Sequence, residues 1–90
     1  MLFRFLETTR QYADLKDLPV SKSGNRFISI RVKQLKADGA MCPEITISLW
    51  GDMLCKEVFG LGFGDVIEID GIVRDFSSIT SITRKGGLKN

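Results

Sequence analysis

The sequence contains no histidine, and its two cysteines, Cys42 and Cys55, form no Cys-x-x-Cys pair. The lack of histidine removes the usual general base and a frequent zinc ligand, and with them the Ser-His and Cys-His nucleophile arrangements. Two isolated cysteines favour reduced, buried thiols over a disulfide framework or a zinc site. We therefore expect a protein that is not an enzyme and holds no metal or other cofactor.

Long apolar runs and a strong net charge are also missing. No segment approaches the roughly 18 apolar residues of a membrane-spanning helix. The N-terminal "MLFRFLETTR" has a charge within its short apolar stretch and no small-residue cleavage site, unlike a signal peptide. We expect a cytoplasmic protein without a membrane or small-molecule partner. The formal net charge is only +2, so the distribution of charge says more about partners than its sum.

Alternating apolar and polar residues predict a mostly β structure in this chain of 90 residues. The predicted strands are Leu2 to Thr8, Arg26 to Leu35, Glu44 to Trp50, Val66 to Phe76 and Ser77 to Thr83. A helical turn is expected between Ala13 and Leu18, and a short helix with Asp52 as its N-cap follows the third strand. Gly71 is expected to mark a bulge in the fourth strand.

Five strands with one helix between the third and the fourth are the element order of the OB-fold, a small Greek-key barrel. We therefore predict an all-β protein, a five-stranded OB-fold Greek-key barrel with one short helix between strands 3 and 4. Residues 1–84 form this domain, and residues 85–90 form a short, basic, flexible C-terminal end. The barrel closure is implied by the fold, because periodicity does not reveal strand pairing.

The segments "SKSGNRFISIRV", "ITISLWGDML" and "FGDVIEIDGIVRDF" resemble bacterial and phage single-stranded DNA-binding proteins and the related primosomal replication protein. The resemblance implies binding of single-stranded DNA, with RNA as an alternative, in replication or recombination of a phage, plasmid or bacterium. It also implies a homodimer or homotetramer. The acidic tail usual in this family has no counterpart in the basic end "TRKGGLKN".

The only tryptophan, Trp50, is the first candidate for the binding site. The aliphatic residues of "ITISLW" alternate with the others, so Trp50 lies on the face opposite the core. An aromatic ring there can stack on any base, and the resemblance gives Trp50 this role. The alternative is that Trp50 covers one end of the barrel or packs in a subunit interface.

A basic stripe supplies the other candidates. Five basic residues and no acidic one lie between Leu18 and Ala37, namely Lys22, Arg26, Arg31, Lys33 and Lys36. Basic residues interleaved with aromatics are typical of proteins that follow a phosphate backbone. If strands two and three pair, Phe27 and Ser48 share a face with Trp50. The alternative is an ordinary solvated strand face.

Three weaker candidates lie in loops or at strand ends. Arg74 and Phe76 end the fourth strand, where the following loop of an OB-fold often contacts nucleic acid. Tyr12 lies in the first long loop, another usual binding element. Phe76 serves equally well as a core cap, and Tyr12 as a loop aromatic packed on the barrel.

Other functions find less support in the sequence. Glu68 and Asp70 share a strand face, as a metal site requires, but a solvated strand explains them equally well. The glycine-rich "GLGFGD" lacks the lysine of a phosphate loop. The main alternative is an OB-fold scaffold subunit that binds proteins, because Phe3 and Phe5 on one face and Leu2 and Leu6 on the other make the first strand apolar on both faces. We expect self-association through this strand, with Phe3 or Phe5 facing the partner.

Overall fold

Five strands, one α-helix and one 3₁₀ turn form the structure, a computed structural model that describes residues 2–36, 42–72 and 78–86. The elements are β1 (Leu2–Thr8), the 3₁₀ turn (Leu15–Asp17), β2 (Phe27–Gln34), β3 (Glu44–Trp50), α1 (Asp52–Val58), β4 (Val66–Ile72) and β5 (Ser78–Gly86). The mostly β content and the single short helix between the third and fourth strands are confirmed. Strand β5 includes Lys85 and Gly86, which were predicted to belong to the flexible C-terminal end.

All five strands belong to one antiparallel sheet in the order β3-β2-β1-β4-β5. Strand β4 returns to lie beside β1, which gives the first four strands the Greek-key order. Strands β3 and β5 are the two outer strands, and no ladder joins them within the described residues. The predicted closure into a barrel is therefore wrong for the described structure. Helix α1 packs against both outer strands, so a helix connects the two edges where a ladder was expected.

The core lies on one face of the sheet, as the alternation predicts. Its buried residues are Phe3, Phe5, Leu18, Ile28, Ile30, Val32, Ile47, Leu49, Cys55, Val58, Ile67, Ile69 and Ile82. Full burial of a large aliphatic or phenylalanine side chain contributes roughly 1.5–3 kcal/mol. This face of the sheet is therefore the main source of folding free energy.

The first strand is central, because β1 pairs with β2 on one side and with β4 on the other. Phe3 and Phe5 are both buried in the core, so the expectation that one of them faces a partner is wrong. Leu2 is exposed and Leu6 is half-buried on the other side of the strand. From Phe3 to Phe5 both backbone edges of β1 are already paired, so these residues cannot take a second chain into their ladder.

Glycines at positive φ determine two local features. Gly51, with φ of 99°, is the N-cap residue of α1. The prediction that Asp52 is the N-cap is therefore wrong, since Asp52 is the first helical residue. Gly71, with φ of 125°, lies where the β4–β5 register shifts, which confirms the predicted bulge. Within the described ranges, no helix has the length and apolar character needed to cross a membrane.

Candidate nucleic-acid interface

Strands β2 and β3 pair over seven positions without a register shift, from Phe27 opposite Trp50 to Lys33 opposite Glu44. The buried residues of both strands point into the core, so their neighbours point the other way. We call this second surface the outer face; it consists of Phe27, Ser29, Arg31, Lys33, Glu44, Thr46, Ser48 and Trp50.

The hydrogen-bond pattern of the ladder brings side chains on the outer face together. The N–H of Gly51 donates to the carbonyl of Arg26 at 2.8 Å, in register with the β2–β3 ladder, whereas the Ser29 carbonyl accepts on the β1 side from Thr9. Hydrogen-bonded and non-hydrogen-bonded pairs alternate in an antiparallel ladder. Phe27–Trp50 and Ser29–Ser48 are therefore non-hydrogen-bonded pairs, the kind in which opposite side chains lie closer.

Phe27 and Trp50 form a stacked pair. Their ring centroids are 4.6 Å apart and their planes differ by 30°. The Trp50 side chain is 44% exposed. Phe27 stacks on one face of the indole, and Trp50 belongs to β3, an outer strand of the sheet. The predicted placement of both aromatics on one non-core surface is confirmed. Their contact contributes about 0.5–1.5 kcal/mol to stability, so Trp50 also has a structural role.

The next two positions along the outer face are already engaged within the chain. The hydroxyl oxygens of Ser29 and Ser48 are 3.0 Å apart and share a hydrogen bond. The guanidinium of Arg31 lies 3.7 Å from the carboxylate of Glu7 on β1. Both charged side chains are largely exposed, and such a pair contributes little. Arg31 can therefore exchange Glu7 for a phosphate at small cost.

The other cations of the stripe lie along β2 and at its ends. Lys33 is half-buried, opposite Arg4 on β1 and Glu44 on β3. Lys22 precedes β2 and Lys36 follows it, and both are exposed. None of these three lysines forms an ion pair with another described residue.

Arg26, the remaining member of the stripe, holds the start of α1. Its guanidinium is 3.3 Å from the Asp52 carboxylate, and its Nε is buried without a hydrogen-bond partner in the described part of the chain. Its carbonyl accepts from Gly51. The structure therefore places Arg26 between β2 and the helix, apart from the other cations of the stripe. Asp52, which the sequence suggested as a cap, is its partner instead.

The two thiols differ in their surroundings. Cys55 is fully buried, and this burial, assisted by the nearby Asp52, raises the pKa of its thiol against the opposing effect of Arg26. The neutral thiol contacts the carbonyl oxygens of Arg26 and Leu49, both at 3.7 Å. Cys42 is only partly buried. The expectation of buried thiols therefore holds for Cys55 and only in part for Cys42.

Of the three weaker candidates, only Tyr12 lies within the described residues, and it does not join the outer face. Tyr12 is half-buried and packs against the core, on the opposite side of the sheet from Trp50. It lines a cavity of about 240 Å³ together with Phe5 and Phe59. The alternative interpretation of Tyr12, a loop aromatic packed on the domain, is thus the one the geometry supports. Arg74 and Phe76 lie outside the described residues.

The carboxylates of the other half of the sheet have partners of their own. The Asp65 carboxylate accepts from the Gly62 N–H at 2.8 Å and pairs with Arg84 at 3.2 Å. Glu68 lies 3.4 Å from Lys85, and Asp70 accepts from Ser81 at 3.1 Å. Within the described ranges no three potential metal ligands come together.

Three exposed apolar residues on or after α1 were not singled out from the sequence. Met53 is 85% exposed, Phe63 is 69% exposed and Phe59 is 39% exposed. Phe63 lies between glycines in "GLGFGD". The lack of strand or helix periodicity in this segment was the only sequence evidence that Phe63 is exposed. These residues lie on α1 or after it and contribute nothing to the outer face.

Comparisons of the chain with protein-family models, with curated proteins and with solved structures find no match.

Proposed function

We propose that this chain is a non-catalytic single-stranded DNA-binding protein whose binding surface is the outer face of β2 and β3. The observation that carries the proposal is the Phe27–Trp50 stack, with an exposed indole on an outer strand and with Arg31 and Lys33 further along the same face. Exposure of a large aromatic side chain to water costs free energy, and Trp50 is not part of the buried core. A bound ligand that covers the indole would recover this free energy.

The stack favours a single strand as the ligand. A base placed on the free face of Trp50 would extend the order Phe27, Trp50, base. Every base has a π-face, so this contact accepts any sequence and contributes roughly 1–3 kcal/mol. In a duplex the bases are stacked on each other, and their faces are not available to the indole.

The cations of the outer face can bind the phosphates of the same nucleic-acid strand. Lys33 lies six positions after Phe27 on β2, so the outer face extends about 20 Å from the aromatic pair to this lysine. Arg31 and Lys33 lie along this path, with Lys22 and Lys36 beyond its two ends. A nucleic-acid backbone that follows β2 would pass Arg31 and Lys33, and neutralisation of its phosphates by these cations would release counterions.

We further propose that the fold is an open variant of the OB-fold. Its support is the Greek-key order of β4, β1, β2 and β3, with α1 between β3 and β4. In OB-folds the face of strands 2 and 3 binds oligonucleotides, which is the face that carries the aromatic pair here. The resemblance to single-stranded DNA-binding proteins favours DNA and a role in replication or recombination.

Binding to labelled oligonucleotides tests the proposal. We expect retention of oligo(dT) at low salt and not of duplex DNA, with oligo(U) as the measure of DNA against RNA preference. Trp50 is the only tryptophan, so the tryptophan fluorescence reports on this residue alone. Stacking on a base should quench it. Trp50→Ala should weaken binding about 5- to 150-fold, the equivalent of roughly 1–3 kcal/mol.

Phe63→Ala is the matched control, since Phe63 is an exposed aromatic away from β2 and β3. It should leave affinity unchanged. If micromolar protein retains no single strand, the DNA-binding proposal is wrong and the scaffold alternative is favoured. If Trp50→Ala and Phe63→Ala weaken binding equally, the binding surface is not the outer face.

A further inference from the structure

The backbone of β3 has one free edge. The even-numbered β2 residues direct their hydrogen bonds to β3, as the Arg26–Gly51 bond indicates, so Ile45, Ile47 and Leu49 direct theirs to β2. Thr46, Ser48 and Trp50 then direct their N–H and C=O groups away from the sheet. Within the described residues, nothing hydrogen-bonds to these outward backbone groups.

The sequence of this edge strand also lacks the features that usually protect sheet edges. Proteins usually protect them with lysines, prolines, bulges or very short strands. Strand β3 has none of these over Glu44–Trp50, and its ladder to β2 has no register shift. The other outer strand, β5, has two register shifts in its ladder and carries Arg84 and Lys85. Of the two edges, β3 is the one ready to pair.

We propose that β3 pairs antiparallel with β3 of a second copy of this chain, about a two-fold axis at Ile47. The dimer joins two five-stranded sheets through their β3 edges. Such an interface is isologous, because each copy supplies the same residues.

The sequence of β3 complements itself in this register. With Ile47 opposite Ile47 of the second copy, all seven residues overlap and both core faces lie on the same side. Thr46 meets Ser48 of the second copy in a hydrogen-bonded pair, and Ile45 meets Leu49. A shift by one residue would place apolar residues opposite polar ones, so the register is well specified.

The charges also permit a second copy. Glu44 is the only charged residue of β3. In the proposed register the two Glu44 side chains stand six residues apart, about 20 Å, so like charges do not meet. Each Glu44 instead lies opposite Trp50 of the other copy, on the side of the indole away from Phe27. Pairing and base stacking therefore exclude each other at this ring face.

The contact is small. Stable interfaces bury about 1,200–2,000 Å² in total, and seven paired strand residues without further packing bury less than that. We therefore expect a reversible dimer whose fraction rises with protein concentration. The experiments below use protein without nucleic acid, so their outcome is independent of the proposed function.

Amide hydrogen exchange measured by NMR at several protein concentrations tests the proposal. The amides of Ile45 and Ile47 should be protected at every concentration, because they bond within the chain. Those of Thr46, Ser48 and Trp50 should gain protection as concentration rises. When nine tenths of the chains are paired, exchange at these amides slows about tenfold, since only the unpaired tenth exchanges.

Two variants complete the test by sedimentation. Thr46→Pro removes one outward N–H and leaves the β2 ladder intact, so we expect monomers at all concentrations. Thr46→Val keeps the N–H and a β-branched side chain, and should dimerise like the unchanged chain. Fast exchange at Thr46, Ser48 and Trp50 in concentrated samples overturns the proposal, as does a folded Thr46→Pro variant that still dimerises. If Thr46→Pro does not fold, the exchange pattern of the unchanged chain decides.

Discussion

The seven residue pairs of the β2–β3 ladder divide between two faces with different surroundings, three on the core face and four on the outer face. On the core face, Ile30 and Ile47 lie opposite each other and are completely buried. On the outer face, the neighbouring pair Arg31 and Thr46 is exposed. Strand alternation thus separates the residues that stabilise the core from those of the proposed binding surface. Substitutions at adjacent positions should therefore have effects of different kinds.

The largest difference between the faces should appear in stability. Ile47→Ala removes a fully buried side chain and should lower the free energy of unfolding by about 2–5 kcal/mol. Thr46→Ala, one residue away on the exposed face, should cost at most about 1 kcal/mol. Denaturant unfolding of dilute protein measures both. Equal losses of unfolding free energy would mean that the outer face contributes as much to stability as the core face.

A second, smaller difference should appear in salt dependence. Replacing both Arg31 and Lys33 by glutamine should reduce the slope of log affinity for single-stranded DNA against log salt by about 1.4, or about 0.7 for each phosphate that is no longer neutralised. Arg84→Gln with Lys85→Gln removes the same charge from β5, where both side chains pair with acids. This control should leave the slope unchanged once folding is verified.

The outcome of that control decides between local and general attraction. If both double variants reduce the slope equally, DNA is attracted by net charge alone and the outer face has no special role. If neither does, the basic stripe does not contact phosphates.

Much of the fold could be predicted because alternation is a local signal. The bounds of β1 and β3 are those predicted, and β2 differs by one residue at each end. The core faces of β2 and β3 were likewise predicted correctly, since period-two patterns assign each side chain to a face. The stacking of Phe27 on Trp50 required one further assumption, that the two strands pair.

The features that could not be predicted depend on residues distant in the sequence. Arg26 looked like its neighbours in the basic stripe, and only the packing of α1 shows that Asp52 holds it. Arg31 has an acidic neighbour, Glu7, because β1 lies beside β2. The open sheet could not be predicted for the same reason. Alternation assigns the faces of β3 and β5 but does not reveal whether their edges pair.

The smallest expected effect concerns the serine pair, the polar centre of the outer face. Ser48→Ala breaks the bond between its hydroxyl and Ser29 and should cost about 0.5–1.5 kcal/mol of stability. Ser29→Ala should cost the same, and the double variant little more than either, because both remove one shared bond. Denaturant unfolding of the three variants measures this coupling.

Binding should hardly respond to Ser48→Ala, although Ser48 lies next but one to Trp50 on the strand. Its hydroxyl is already engaged by Ser29 and is partly buried, so a phosphate would have to replace a good hydrogen bond with another of similar strength. We expect oligo(dT) affinity within about twofold of the unchanged chain, a difference below about 0.5 kcal/mol. A loss as large as that of Trp50→Ala would show that the serine pair opens on binding. The outer face would then contact DNA through its hydroxyls as well as through its aromatic ring and cations.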